Sequence, residues 1–196
     1  MRCMALLCVA LVSLSMAAAT ADDTLVIREA VYGDLPDGGK KDVTEIVAAF
    51  VREGALRIEA GNNLFGDPAE QEGKTLKVAY ELNGEQAEAS VREGETMLIP
   101  MPELEGELKL LSAEYGDLPD GPKEDVLGTV KLYLKNNRLE VDVENYLLGD
   151  PASGVFKRLR VEYMIGDVKL AKSTYEGGTL TIEVPGDDKA DGDAAK

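Results

Sequence analysis

The heptapeptide Tyr32-Gly33-Asp34-Leu35-Pro36-Asp37-Gly38 recurs residue for residue as Tyr115-Gly116-Asp117-Leu118-Pro119-Asp120-Gly121, 83 residues further on. The same offset, without a gap, carries Asp42-Val43 onto Asp125-Val126, Asn62 onto Asn145, and Gly66-Asp67-Pro68-Ala69 onto Gly149-Asp150-Pro151-Ala152. It continues through Lys74, Leu76, Val78 and Tyr80 to Lys157, Leu159, Val161 and Tyr163, and through Glu93-Gly94 to Glu176-Gly177. A match this long makes the chain two copies of one unit, so a conformation available to one copy must suit the other. The link between them, Leu104-Glu105-Gly106, is short enough to restrict their relative motion.

Within each unit the apolar period is two, the period of a strand with one face buried and one wet. Leu76, Val78, Tyr80 and Leu82 alternate with Lys77, Ala79 and Glu81, and Leu159, Val161, Tyr163 and Ile165 do the same. Asn83-Gly84, Asn136-Asn137 and Gly166-Asp167 fall between alternating runs, where two-residue hairpin turns belong. Residues 43–51 tolerate a helix through Ala48-Ala49, but their counterparts, 126–134, contain Gly128, Thr129, Val130 and Tyr133, and both segments are expected to be strands. The expected fold is all-β: two tandem antiparallel β-sandwich domains over residues 22–104 and 105–185.

The flanks differ from this body. Residues 1–21 run from Met1-Arg2 through an apolar stretch to Ala19-x-Ala21, the pattern of a secretory signal peptide, too short to span a membrane. Leu7 ahead of Cys8 is too large for lipoprotein processing, so release is expected rather than anchoring. Residues 186–196 are small and charged, a composition that buries nothing and predicts a disordered acidic tail. Of 21 basic and 37 acidic side chains only Arg2 lies within residues 1–21, so the mature charge is −17. Such a field repels nucleic acid and anionic membranes and attracts cations and basic surfaces.

The order Tyr-Gly, Asp42-Val43-Thr44, Gly66-Asp67-Pro68 and Lys74-x-Leu76-x-Val78-x-Tyr80 resembles the uncharacterised C-terminal domain of DnaJ-like proteins of subfamily C, member 11, a domain also found in exported bacterial proteins. Both units carry the resemblance; the second has Leu127 where the first has Thr44. It implies a β-rich interaction domain. Co-chaperone activity is not implied, since it requires a His-Pro-Asp tripeptide and the chain has no histidine.

With no histidine, and with both cysteines at positions 3 and 8, the mature chain lacks the thiols and imidazoles needed for disulfides, Cys/His zinc sites and Ser-His-Asp or Cys-His catalysis. What remains is carboxylate chemistry. Asp34, Asp37 and Asp42, with Asp67 from another loop, and likewise Asp117, Asp120, Asp125 and Asp150, supply the hard oxygen ligands that Ca2+ takes, although without the EF-hand spacing. The same residues serve equally as turn chemistry, Asp bonding its own backbone, Pro presetting φ and Gly providing the flexible position. Tyr32 and Tyr115, at a strand end, are candidate ligand contacts, whereas Tyr80 and Tyr163 lie in phase with the core. The sequence reading is a non-catalytic structural or protein-interaction module, acting on a protein or cell-envelope component in the periplasm or outside the cell. Its alternatives are Ca2+-dependent binding of a glycan or surface polymer through the acidic loops, and a carboxylate-only hydrolase. The exported form is expected to begin at Asp22 by intact-mass measurement; a mass that still includes residues 1–21 would show retention as an anchor.

Overall fold

The computed structural model describes residues 24–184, so the expected signal peptide and acidic tail lie outside the described residues. The segment that bears the first heptapeptide, the first copy by sequence, runs β1 (Leu25–Gly33), β2 (Lys40–Asp42), α1 (Thr44–Ala48), β3 (Leu56–Glu59), α2 (Asn62–Phe65), β4 (Thr75–Leu82), β5 (Glu85–Arg92) and β6 (Thr96–Ile99). The second runs β7 (Leu108–Gly116), β8 (Lys123–Asp125), α3 (Leu127–Lys131), β9 (Leu134–Lys135), β10 (Arg138–Asp142), α4 (Asn145–Leu148), β11 (Arg158–Ile165), β12 (Val168–Tyr175) and β13 (Thr179–Glu183). The fold is all-β with short helices, and its strand pairings are antiparallel. In the first copy the sheets are β2-β1-β4-β5 and β3-β6; in the second they are β12-β11-β7-β8 and β13-β10-β9.

The alternating side chains divide as their period requires. Leu76 and Val78 join Tyr32, Phe65, Met97 and Ile99 in one core, drawing on both sheets of the first copy. Leu159 and Val161 join Tyr115, Leu148, Leu139 and Leu180 in the other. Asn83-Gly84 and Asn136-Asn137 close their hairpins with both central residues at positive φ, the geometry that matches strand twist. The shared heptapeptide is a tight turn. A Cβ on Gly33 would lie 2.2 Å from Gly39 O, and one on Gly116 would lie 2.3 Å from Pro122 O, so neither position admits a side chain.

The expectation of strands over 43–51 and 126–134 is corrected: both segments begin with a short helix, α1 and α3, and the second reaches strand conformation only at β9. Local hydrogen bonding outweighs the β-propensity of Thr129 and Val130. The Asp42 carboxylate accepts from the Thr44 N–H at 2.9 Å, and Asp125 from the Leu127 N–H at 2.9 Å, satisfying donors that a helix start leaves free. One fully buried side chain in each helix, Val47 or Val130, then plugs the core.

The two copies meet sheet face to sheet face. In β3-β6 the inward residues Leu56, Ile58, Met97 and Ile99 fill the first core, and the outward set Arg57, Glu59, Thr96 and Leu98 covers β11-β12 of the second copy. Arg57 Nη2 donates to Lys169 O at 2.6 Å, Arg160 pairs with Glu59 at 2.8 Å, and the Ala171 N–H donates to Thr96 Oγ1 at 3.0 Å. Arg158 and Ser173 both donate to the main-chain carbonyl of Glu93.

Burial sets the titration of the core phenols. Tyr32 is pushed well above the ordinary tyrosine range by burial and then by Glu93, and burial pushes Tyr115 and Tyr163 up to about 12. These phenols stay neutral in the native state while the unfolded chain ionises near pH 10. Their contribution to stability is therefore complete below about pH 10 and is lost as pH rises through about 12. Tyrosinate absorbance of the native protein is expected to stay incomplete until the β-type circular dichroism is lost, when the buried phenols ionise. Seven tyrosines titrating together near pH 10, with the fold intact, would contradict this burial.

Candidate functional site

Each copy contains a buried ammonium, and the repeated motifs build it. The end of β1 holds α2 in place, because the Tyr32 hydroxyl donates to Asn62 Oδ1 at 2.9 Å; Tyr115 donates to Asn145 Oδ1 at 2.8 Å in the same way. The loop leaving α2 then carries Asp67 back over β4. Lys74, whose side chain is 3% exposed, donates to the carbonyls of Ala69 at 3.0 Å and Glu72 at 2.9 Å. Its Nζ lies 3.1 Å from Asp67 Oδ1 and 3.5 Å from Glu93 Oε2. In the second copy Lys157 Nζ meets Asp150 at 3.0 Å and Glu176 at 3.1 Å, and it donates to Ala152 O and Val155 O. Burial opposes the Lys157 charge, but the two carboxylates override it and raise the pKa above the ordinary lysine value.

The eight candidate metal ligands are distributed as follows. Asp67 and Asp150 each face an ammonium, a cation that belongs to the protein. Asp34 and Asp117 close the heptapeptide turn through their main chains, accepting from Gly38 N–H at 2.8 Å and Gly121 N–H at 2.7 Å, with their carboxylates packed on those glycines. Asp42 and Asp125 accept from the helix starts, and the Thr44 N–H holds the Asp42 carboxyl below the usual carboxylate range. Asp37 and Asp120 are exposed at the turn tips. Among the described residues no group of three or more acidic side chains is placed to hold a metal ion. Tyr32 and Tyr115, candidate ligand contacts in the sequence, are fully buried anchors.

A different grouping forms across the joint. A cleft of about 380 Å³ brings Asp67, Glu70, Glu72, Lys74 and Glu93 of the first copy against Asp117, Asp120, Phe156, Arg158 and Tyr175 of the second. Its floor is ionic. Arg158, 4% exposed, places Nη1 3.3 Å from Glu93 Oε2 and donates through Nη2 to Leu118 O at 3.3 Å. Its Nε is buried without a hydrogen-bond partner among the described residues. One wall is aromatic: Phe156 stacks on Tyr175 with ring centroids 5.4 Å apart and planes 5° from parallel, and the Arg158 guanidinium lies 5.8 Å from the centre of the Tyr175 ring. Burial raises the pKa of the Tyr175 phenol. A Cβ on Gly73 would lie 2.9 Å from Tyr175 Cε2, so only glycine allows the first copy to approach this closely.

The acidic turns were visible in the sequence as a pattern, but the cleft residues were not, because identity between the copies does not mark them. Their signal is difference. At an offset of 83, Arg158 stands opposite Thr75, Phe156 opposite Gly73, Ala171 opposite Glu88 and Tyr175 opposite Arg92.

Residues 7–100 match the family model described as DnaJ-like protein C11, C-terminal, a stretch that includes Asp67, Lys74 and Glu93. No curated protein matches the chain, and no solved structure does.

Removing either buried ammonium strands carboxylates that were folded around it. Lys74→Met and Lys157→Met are each expected to cost about 3 kcal/mol in urea unfolding. Asp67→Asn, at a partly exposed carboxylate, is expected to cost about 1 kcal/mol or less. Urea melts of the three variants check the ranking, and near-wild-type stability of both lysine variants would show that the ammonium is not what holds these loops.

Proposed function

We propose that the chain is an exported, non-catalytic protein-interaction module. In this reading it is a duplicated β-sandwich whose second copy is a further instance of the domain matched over residues 7–100, and the joint between copies presents the partner surface. One observation carries the reading: the second copy departs from the first on the sheet face that receives its neighbour, where Arg158, Ala171 and Tyr175 replace Thr75, Glu88 and Arg92. Those replacements join two otherwise self-contained cores and leave a cleft at the seam with an exposed aromatic ring. The carboxylates on the cleft floor, Asp67 and Glu93, are engaged by Lys74 and Arg158. Groups committed in this way are poorly placed to exchange protons with a substrate. The amino-terminal segment 1–21 supports export.

Photo-crosslinking in the producing cells tests the reading. A photoreactive amino acid in place of Glu70, on the cleft rim, is expected to give a discrete protein adduct. One in place of Lys77, on the exposed β4-β5 face, is expected to give none. The absence of an adduct at Glu70 would overturn the proposal, as would turnover of an envelope polymer by the purified protein that is abolished by Glu72→Gln.

A further inference from the structure

Building on that interaction reading, we infer that the joint cleft receives a basic peptide segment. One arginine or lysine side chain would lie on the open face of Phe156. Charge supplies the first argument. The floor is balanced, Lys74 and Arg158 against Asp67 and Glu93, whereas the rim residues Glu70, Glu72, Asp117 and Asp120 form no ion pair with any described residue. A ligand approaching the cleft therefore meets uncompensated negative charge, on a chain whose formal charge is −16.

The second argument comes from the aromatic wall, which is independent of the rim. Phe156 is 63% exposed although Tyr175 covers one of its faces, so it presents one free π surface. Such a face beside carboxylates attracts a guanidinium or ammonium with an apolar stem. A neutral saccharide could use the ring but would gain little from four unpaired carboxylates, which is why the basic peptide is the better fit.

The test uses the mature protein and three probes: a capped pentapeptide of alternating glycine and arginine, the same peptide with citrulline for arginine, and a trisaccharide of N-acetylglucosamine. Calorimetry gives affinity, and aromatic NMR signals of Phe156 and Tyr175 report the site. The arginine peptide is expected to shift both rings saturably and the citrulline peptide to bind several-fold more weakly. Phe156→Ala is expected to weaken the arginine peptide roughly threefold to fivefold, and Phe156→Tyr to retain it. Glu70→Gln with Asp120→Asn should weaken binding and flatten its salt dependence, whereas Glu88→Gln, on the remote face, should not. Affinity unchanged by Phe156→Ala, equal binding of the citrulline peptide, or binding of the trisaccharide in place of the peptide would each overturn the inference. A protein adduct at Glu70 without peptide binding would overturn this inference alone and leave the interaction reading standing.

Discussion

Glu93 is the point on which both the local fold and the assembly turn. Its carboxylate lies near the Lys74 ammonium of its own copy and the Arg158 guanidinium of the other, and its main-chain carbonyl accepts from Arg158 and Ser173. A buried carboxylate is expensive to desolvate, and the cost is met only where cations and further hydrogen bonds surround it. Here the loop over Lys74 and the face of β11-β12 supply them together. The geometry of the 66–74 loop and the angle of the joint are therefore coupled. A displacement of either would leave one of the two cations with an incomplete shell.

The ammonium shell, rather than the joint, explains why Gly-Asp-Pro-Ala and the downstream Lys and Glu recur at both positions. The motif encloses an ammonium in carbonyls and carboxylates, a self-contained device that each copy needs in order to fold. The turn heptapeptide is similar in kind, because Gly33 and Gly116 leave no room for a Cβ and the Asp34 and Asp117 carboxylates pack on the glycines that close the turn. Sequence identity across the repeat thus marks what every copy requires of itself. It carries little information about what one copy does for another.

The parts of the fold governed by short-range rules were legible for that reason. Alternation over 76–82 and 159–165, and the hairpins at Asn83-Gly84 and Asn136-Asn137, follow from the pleat and from turn stereochemistry. The helices α1 and α3 were not legible, because hydrogen bonds from the Thr44 and Leu127 N–H groups to the Asp42 and Asp125 carboxylates decide against the β-branched residues that follow, and propensity alone does not weigh them. Asp67 was legible as a carboxylate in a loop but not as the partner of a lysine seven residues on. The joint cleft was the least accessible part: Phe156, Arg158 and Tyr175 carry no sequence signal until the 67–74 loop and Glu93 of the first copy are laid against them.

The same comparison of copies shows that the outer sheet faces are not adapted for docking as the inner ones are. A third copy added in the same manner to the second would dock on β10-β13, where Glu140, Asp142, Thr179 and Thr181 stand in place of Arg57, Glu59, Thr96 and Leu98. One added before the first would have to rest its β3-β6 face on β4-β5, where Glu88 and Arg92 replace Ala171 and Tyr175 and Thr75 replaces Arg158. The apolar and small residues that allow close approach are lost at both ends, and an exposed Lys77–Glu88 ion pair stands on the second of these faces. Lys77 could still meet a glutamate as Arg160 meets Glu59, but a solvated pair of this kind contributes at most about 1 kcal/mol. Without a buried Arg158 equivalent to engage a Glu93 equivalent, nothing sets the angle of approach. Terminal units of repeat arrays carry polar outer faces for this reason, and here each copy has one face adapted to its neighbour and one adapted to water.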